Sequence, residues 1–535
     1  NLLAEFLFFE GYELRTPRID TVELAQVFYP QLEKYNLGIL CQELGIPLEQ
    51  AHTALSDAQA TAELFLCMRQ KMFQLPKGLL ERLLSLADSL LYESYMVIEE
   101  VYQKQSLLVE HDLVEVQGLF LRKEKSALSP RKLSKDFQTN IALLGLEERN
   151  LQERFAQKVQ ECLQGEDISF IQAQTGIGKT YGYLLPALSL ENEGGILLSV
   201  PTKILQNQVM HEEAKKLEEI FHISIHSLKG PQNYLKLDAF HAVLEEEESN
   251  RLYTRFKMQL LVWLTETDTG DLDEIGQLYR YQQFLPNLVH DGNLHKDSLF
   301  WLEDFWRRGQ EKARSCKLLV TNHAYLVTRL EDDPSLLEGR FLILDEAQKI
   351  LLTLENLSRK SYLLTDLLEQ LDQALSKEEG MLERRLLESI RFELSYLLEQ
   401  FLSGKRKMFP ASSIDKLRQD FSELNLLEFK DYQRFFSSEG EFWLSTSDVS
   451  SKKVEITSSR NHRLLFSQIF PESCQLLGIS ATLEISSRVS LPELLGFPQA
   501  AFYCMDEQFQ ENQEIFLVND FPLVTEISSE EYAQA

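Results

Sequence analysis

Three short stretches of this sequence combine residue types and spacings that could do chemistry. The first is AQTGIGKT, residues 173–180. In its Thr175–Gly178 turn, Gly176 and Gly178 let successive backbone N–H groups face phosphate oxygens, with Ile177 between them. Lys179 would bring a positive charge to the β- and γ-phosphates, and the Thr180 hydroxyl could ligate Mg2+. A helix starting here would aim its N-terminal dipole at the same phosphates. Ala173 stands where the first glycine of a phosphate loop usually is. The second stretch is FLILDEAQ, residues 341–348. Its apolar run leads into adjacent carboxylates: Asp345 to hold Mg2+ and Glu346 to polarise an attacking water as general base. The third is HTALSDA, residues 52–58. His52 would sit on a loop as a general base, with Asp57 just inside a helix as a metal ligand. By spacing alone, a capping histidine and a first-turn carboxylate are the better reading of that pair.

The first two stretches need a sheet to bring them together. Five apolar runs end in polar or glycine-bearing loops: ISFIQAQTG, GGILLSVPT, CKLLVTNH, RFLILDEAQ and CQLLGISAT. Each is apolar on both faces, as strands of a buried parallel sheet are. Ligands of such sheets bind beyond the carboxyl ends of the strands, where these polar signatures fall. The order divides the chain into a compact α-rich piece (1–72), a helical connector (73–148) and an α/β lobe in three parts (149–228, 314–350 and 471–505). Insertions occupy 229–313 and 351–470, and 506–535 begins a further lobe. In the second insertion, Leu364, Leu367, Leu368, Leu371 and Leu375 form one stripe. Leu382, Leu386, Ile390, Leu394, Leu397 and Leu398 form another, which together predict a helical hairpin.

Composition limits the function classes. The chain has 535 residues, 44% hydrophobic and 26% charged, with a formal net charge of −29. An acidic surface argues against general phosphate binding, so any nucleic-acid contact must be local. Basic islands at 122–135 and 404–407 are candidates, though a solvated surface explains each taken singly. No apolar run could span a bilayer and none reads as a signal peptide, so no membrane partner is expected. The six cysteines are scattered, as in a cytoplasmic protein with reduced thiols. The chain opens inside an apparent helix without methionine, which suggests a piece of a longer protein.

The phosphate loop, VPTKILQNQ (200–208), DEAQ (345–348) and SATL (480–483) occur in the order found in superfamily-two helicases. Within that group the chain resembles the DinG-type helicases, relatives of XPD, over roughly residues 149–500. The resemblance implies a RecA-like motor lobe that binds ATP and Mg2+. It assigns adenine contact to Arg154 and Gln157, and coupling of hydrolysis to movement to Gln348, Ser480, Ala481 and Thr482. DNA contact falls to Thr202, Lys203 and Gln206. VTNHAYL (320–326) resembles the strand before the acidic motif. Three departures stand out. Gln348 replaces a histidine, Gln172 often a glutamate, and Lys236 the first cysteine of a cluster-bearing domain. No cysteine lies between 229 and 313, so an iron–sulfur cluster is not expected. The family's arginine finger lies in a second lobe, of which 514–535 would be only the start, so weak ATP turnover is expected of this chain. Two other features are candidate DNA contacts: Lys405–Lys407 with Phe409, and Trp301, Trp306, Arg307 and Arg308, whose tryptophans could equally pack inward.

The N-terminal stretch resembles DnaQ-type 3′–5′ exonucleases, of ribonuclease-H-like fold, through HTALSDA and the upstream RIDTVELAQVFYP (18–30). That implies His52 as base and Asp57 as ligand of Mg2+ or Mn2+. The family's earlier carboxylates would lie before Asn1, and Asp20 matches a structural aspartate, so an inactive remnant is expected. The fold class is therefore α/β: a RecA-like parallel-sheet lobe with two largely helical insertions, preceded by an exonuclease remnant. The resemblance implies an ATP-dependent helicase or translocase fused to an exonuclease on single-stranded DNA, with partners among replication or repair proteins. One alternative is an exonuclease gated by a cluster-free nucleotide lobe that does not unwind. Another is a non-enzymatic, nucleotide-switched scaffold.

Overall fold

The computed structural model describes residues 8–12, 16–48, 53–105, 112–124, 129–165, 168–190, 194–246, 249–293, 296–377, 380–424, 426, 429–437, 441–446, 453–459, 465–471, 473–486 and 489–505. Seven strands form its central sheet: β1 (Ser169–Gln172), β2 (Ile196–Val200), β3 (Ile225–Ser227), β4 (Leu318–Asn322), β5 (Phe341–Asp345), β6 (Gln475–Ser480) and β7 (Ala501–Cys504). Their spatial order is β7-β1-β6-β5-β2-β4-β3, and every pairing is parallel. Leu197, Leu198, Leu342, Ile343, Leu344, Leu476 and Leu477 are all fully buried. Helices on both faces of the sheet enclose these side chains, which is why the strands read as unbroken apolar runs rather than alternating ones.

Register decides what meets at the top of the sheet. Ile479 on β6 pairs with Ile171 on one side and Asp345 on the other. The phosphate loop after β1 and the acidic turn after β5 therefore flank the SATL loop after β6. The two short outer strands β3 and β7 were not among the sequence-derived runs. Their side chains are only partly buried, so they lack the apolar signature of the central strands.

The insertions differ from each other. Residues 229–313 carry the helices Leu237–Leu244, Arg251–Trp263 and Phe305–Ser315, joined by short 3-10 turns. The second insertion has the expected hairpin of Leu364–Lys377 and Met381–Leu402, but it rests on a four-stranded antiparallel sheet that the helical stripes gave no hint of. One position of the second stripe is corrected. Leu382 is 63% exposed, and Leu387 is fully buried in the core beside Leu386, Ile390 and Leu394. The N-terminal part is helical where described, with Thr21–Phe28 and Ala54–Phe73 sharing a core with the connector.

Candidate functional site

The phosphate loop runs from β1 into the helix Lys179–Ser189. Gly176 and Gly178 have φ of 84° and 81°, the left-handed region that only glycine enters freely. A Cβ on Gly178 would lie 2.3 Å from the Gln152 amide nitrogen. That contact is specific, because Gln152 Nε2 donates to the Gly178 carbonyl at 2.8 Å and its side chain is buried. Gln152 lies on the helix Asn150–Gln164, whose Phe155, Ala156 and Val159 face the core. Arg154 and Gln157 lie on its exposed side, with Gln157 Nε2 3.5 Å from Glu153 Oε1. Gln152, which was not one of the expected pair, takes the place beside the loop. The R-x-x-Q spacing recurs at Arg149 and Gln152, a signal that could have found the inward residue.

β5 delivers the acidic turn. Glu346 has φ of 48°, a left-handed conformation that a non-glycine side chain seldom holds. Neighbours fix it there: the Ala347 N–H donates to the Ile479 carbonyl at 2.9 Å, and the Glu346 N–H to Asp345 Oδ1 at 3.1 Å. Lys179 Nζ lies 2.7 Å from Glu346 Oε1, joining the phosphate loop to the acidic turn. Burial pushes the Glu346 carboxyl up, but the bonds from Gln348 and Lys179 outweigh it and hold it below its ordinary range. Asp345 goes the other way. Burial raises it to about 6; Lys179 relieves part of the penalty and Glu346 adds to it. Beside it, Glu213 Oε2 is buried without a hydrogen-bond partner among the described residues. An acidic, oxygen-rich spot whose Asp345 carboxyl Lys179 only partly relieves fits a divalent cation. The Asp345 carboxylate and the Thr180 hydroxyl are the hard oxygen donors that Mg2+ takes.

A polar chain leaves this centre. Gln348 Nε2 donates to Glu346 Oε2 at 2.9 Å, and the buried Ser480 hydroxyl donates to Gln348 Oε1. Ser480 Oγ also accepts from the Thr482 N–H at 3.0 Å, across Ala481. Gln172, one strand over, accepts from the Leu483 N–H at 2.8 Å, so it braces the same loop. Lys179, Glu346, Gln348, Ser480 and Thr482 thus form one connected set.

The expected DNA contacts separate. Thr202 caps the helix Lys203–Val209 by accepting from the Leu205 N–H at 3.2 Å. Lys203 is half exposed and donates to Asn233 Oδ1 at 2.8 Å. Gln206 is corrected as a DNA contact. It is fully buried, donates to Ser227, Leu228 and Val320, and accepts from Asn322 Nδ2 at 2.9 Å. Trp306 is buried against Tyr234, with ring centroids 5.4 Å apart, and so is not a stacking platform for bases. Arg307 lies over Trp301, and Arg308 pairs with Glu124. Lys405, Arg406 and Lys407 are exposed between the helix Met381–Leu402 and the strand Met408–Phe409 of the second insertion.

At the N-terminal stretch, His52 lies outside the described residues. Asp57 is in the first turn of its helix, and Asp20 caps the helix Thr21–Phe28 by accepting from the Glu23 N–H at 2.9 Å. Among the described residues no group of three or more His, Cys, Asp or Glu side chains could hold a metal ion. The described residues therefore do not make up a two-metal nuclease centre.

Comparison with known proteins matches residues 151–262 to the DEAD/DEAH box helicase family and residues 2–65 to an exonuclease family. The 3′-5′ exonuclease DinG of Staphylococcus saprophyticus is 30% identical over 349 residues, covering 62% of this chain and 38% of that protein. The Bacillus subtilis protein of the same name is 29% identical over 455 residues, covering 77% of this chain and 47% of that protein. The chain thus spans less than half the length of either relative. Among solved structures, a truncated XPD aligns with 66% of this chain and all of its own, at 14% identity and a TM-score of 0.38. The chain is thus similar to proteins named DinG over much of its length, with a stretch that matches an exonuclease family ahead of one that matches a helicase family.

Proposed function

We propose that this chain is the nucleotide-driven motor lobe of a DinG-type DNA helicase or translocase, joined to the end of a 3′–5′ exonuclease domain, and that it acts on single-stranded DNA. On this reading 149–228, 314–350 and 471–505 form the motor lobe. Residues 229–313 and 351–470 are its insertions, 1–72 belong to the exonuclease, 73–148 connect the two, and 506–535 begin a second lobe. The observation that carries it is the 2.7 Å contact of Lys179 with Glu346, which brings the phosphate loop and the acidic turn to one point.

The geometry suggests how the residues act. Without nucleotide, Lys179 is held by Glu346. A triphosphate offers more negative charge and draws the amine onto its oxygens, which frees Glu346. Gln348 still donates to the other carboxylate oxygen, so the freed Glu346 stays oriented to accept a proton from water. A bound Mg2+, held by Thr180 and Asp345, would supply charge neutralisation at the phosphates. Gln348 is tied to Glu346 and Ser480 at once, so a shift of the carboxylate is felt in the SATL loop.

No cysteine lies between 229 and 313, so we assign no iron–sulfur cluster to that insertion. A Mn2+ requirement belongs, if anywhere, to the exonuclease part. Among the described residues no helix is long and apolar enough to cross a membrane. The reading places the protein in the cytoplasm with its DNA, alongside replication or repair proteins. A second reading, in which the motor gates the nuclease without unwinding, draws support from the packing of 229–313 against the exonuclease segment, where the Gly276 N–H donates to the Pro30 carbonyl at 2.9 Å.

The test is Lys179→Ala. Loss of ATP-analogue binding and of DNA-stimulated turnover is expected; unchanged binding refutes the site. Strand separation by the full-length protein divides the two readings, since only the first requires it.

A further inference from the structure

The segment 271–277 touches two parts of the molecule that the sequence places far apart. At one end, Asp271 Oδ2 and Asp273 Oδ2 lie 2.5 Å and 2.9 Å from Lys229 Nζ, and this lysine is 1% exposed. The Asp273 carboxylate also lies 3.8 Å from Lys203 Nζ on the helix Lys203–Val209. Three residues on, the Gly276 N–H donates to the Pro30 carbonyl at 2.9 Å, and Gln277 Nε2 donates to the Glu33 carbonyl at 2.9 Å. The seat is tight, because a Cβ on Gly276 would lie 1.8 Å from the Leu32 carbonyl oxygen. Gln277 holds φ of 56° to follow that surface.

The same faces are fastened a second time. Glu23 of the exonuclease segment is 5% exposed and receives Arg255 Nη1 at 3.0 Å and the Leu91 N–H at 2.6 Å. One buried carboxylate thus holds the exonuclease segment, the connector and the insertion together. The junction is a fixed one, so displacement of 271–277 has to be taken up at Pro30–Glu33.

We propose that residues 271–277 couple strand engagement at Lys203 to the seating of the exonuclease segment. The proposal rests on the reading of Lys203 as a DNA contact. Lys203 is about half exposed, and an ion pair that open is weak, so a phosphate can displace Asp273 from it readily. The Asp273 carboxylate then has Lys229 alone as its cation. The Leu272–Glu274 turn moves with it and reaches Gly276 within three residues, a contour of about 10 Å. The 229–313 insertion therefore serves as a strut between motor and nuclease.

The experiment is hydrogen exchange of residues 20–33, with and without saturating oligothymidylate, alongside the oligothymidylate affinity of each variant. In the wild-type protein the oligonucleotide is expected to change exchange in this segment by roughly fivefold or more, the lower bound of ordinary allosteric coupling. Asp273→Asn removes the competing charge without changing shape. It should bind oligothymidylate at least as tightly and lose the exchange response. Gln277→Ala, on the exposed side of the seat, should weaken the response and leave affinity unchanged. No response in the wild-type protein, or a full response in Asp273→Asn, overturns the proposal. Undiminished oligothymidylate affinity in Lys203→Ala overturns the DNA-contact reading instead, and that result is read from binding alone.

Discussion

Removing the Gln348 side chain tests the polar chain from the acidic turn to the SATL loop. Gln348→Ala deletes two hydrogen bonds: one given to Glu346 Oε2 at 2.9 Å and one accepted from Ser480. The bond to the partly buried Glu346 carboxylate is charge-assisted, worth about 1.5 kcal/mol, and the neutral one to Ser480 about 1 kcal/mol. Ser480 is fully buried, yet it is not orphaned, because its hydroxyl also lies 3.2 Å from the Thr482 carbonyl and accepts from the Thr482 N–H. The single variant should therefore lose about 2.5 kcal/mol of stability rather than the larger cost of a stranded polar group. Glu346 loses one of the bonds that lower its pKa, so its carboxyl should rise. If Gln348 and Ser480 act as one unit, a cycle with Ser480→Ala should show a coupling of about 1 kcal/mol. The same coupling in the DNA-stimulated state predicts a loss of stimulation of about fivefold. Urea unfolding of the two single variants and the double variant measures the first number, and ATP turnover with and without oligonucleotide measures the second. Single effects that add to within about 0.3 kcal/mol, with stimulation retained, would refute the chain as a path.

Four further outcomes are expected. Gln152→Ala frees the Gly178 carbonyl and should weaken ATP-analogue binding roughly fivefold, whereas Gln157→Ala should stay within about twofold of wild type; titration of the two variants decides between them. Gln206→Ala should cost about 2 kcal/mol in urea unfolding, because it leaves the buried Asn322 Nδ2 without its acceptor, while the Leu228 and Val320 carbonyls keep Thr321 Oγ1 and the Leu228 N–H as donors. Lys203→Ala should unfold like the wild type but lower the log–log salt slope of oligonucleotide binding by about 0.7. Burial lowers the His226 imidazole to about 4, against about 6.5 in the unfolded chain. Its neutral form therefore supports the fold fully above pH 6.5, and that support is lost as pH falls towards 4, where the unfolded chain takes up the proton first. His226→Asn should flatten the pH dependence of unfolding in that window by about 1.4 kcal/mol per pH unit, measured by urea unfolding at several pH values.

Much of the candidate site was legible before any coordinates. The roles proposed for Gly176, Gly178, Lys179 and Thr180 rest on the conformation and charge of one short loop, and those for Asp345 and Glu346 on one strand end. Those requirements are local, so the residue types reveal them. The central strands were equally plain, because burial on both faces demands an unbroken apolar run. The antiparallel sheet of the second insertion was not. The alternating burial of Glu441–Thr446 is short and weak beside the leucine stripes of the adjacent helices.

What the sequence determined by itself is therefore the phosphate loop, the paired carboxylates and the order of the strands that carry them. Tertiary structure alone decided which polar side chains face that centre. Gln152 rather than Gln157 meets the loop because Phe155 and Val159 turn one face of their helix inward. Gln206 is spent inside the fold because its partners come from 21 to 116 residues away. Gly276 is a seat for the exonuclease segment only because Pro30–Leu32 folds against it. A polar side chain is neutral about its role until its hydrogen-bond partners arrive, and here they arrive from distant parts of the chain.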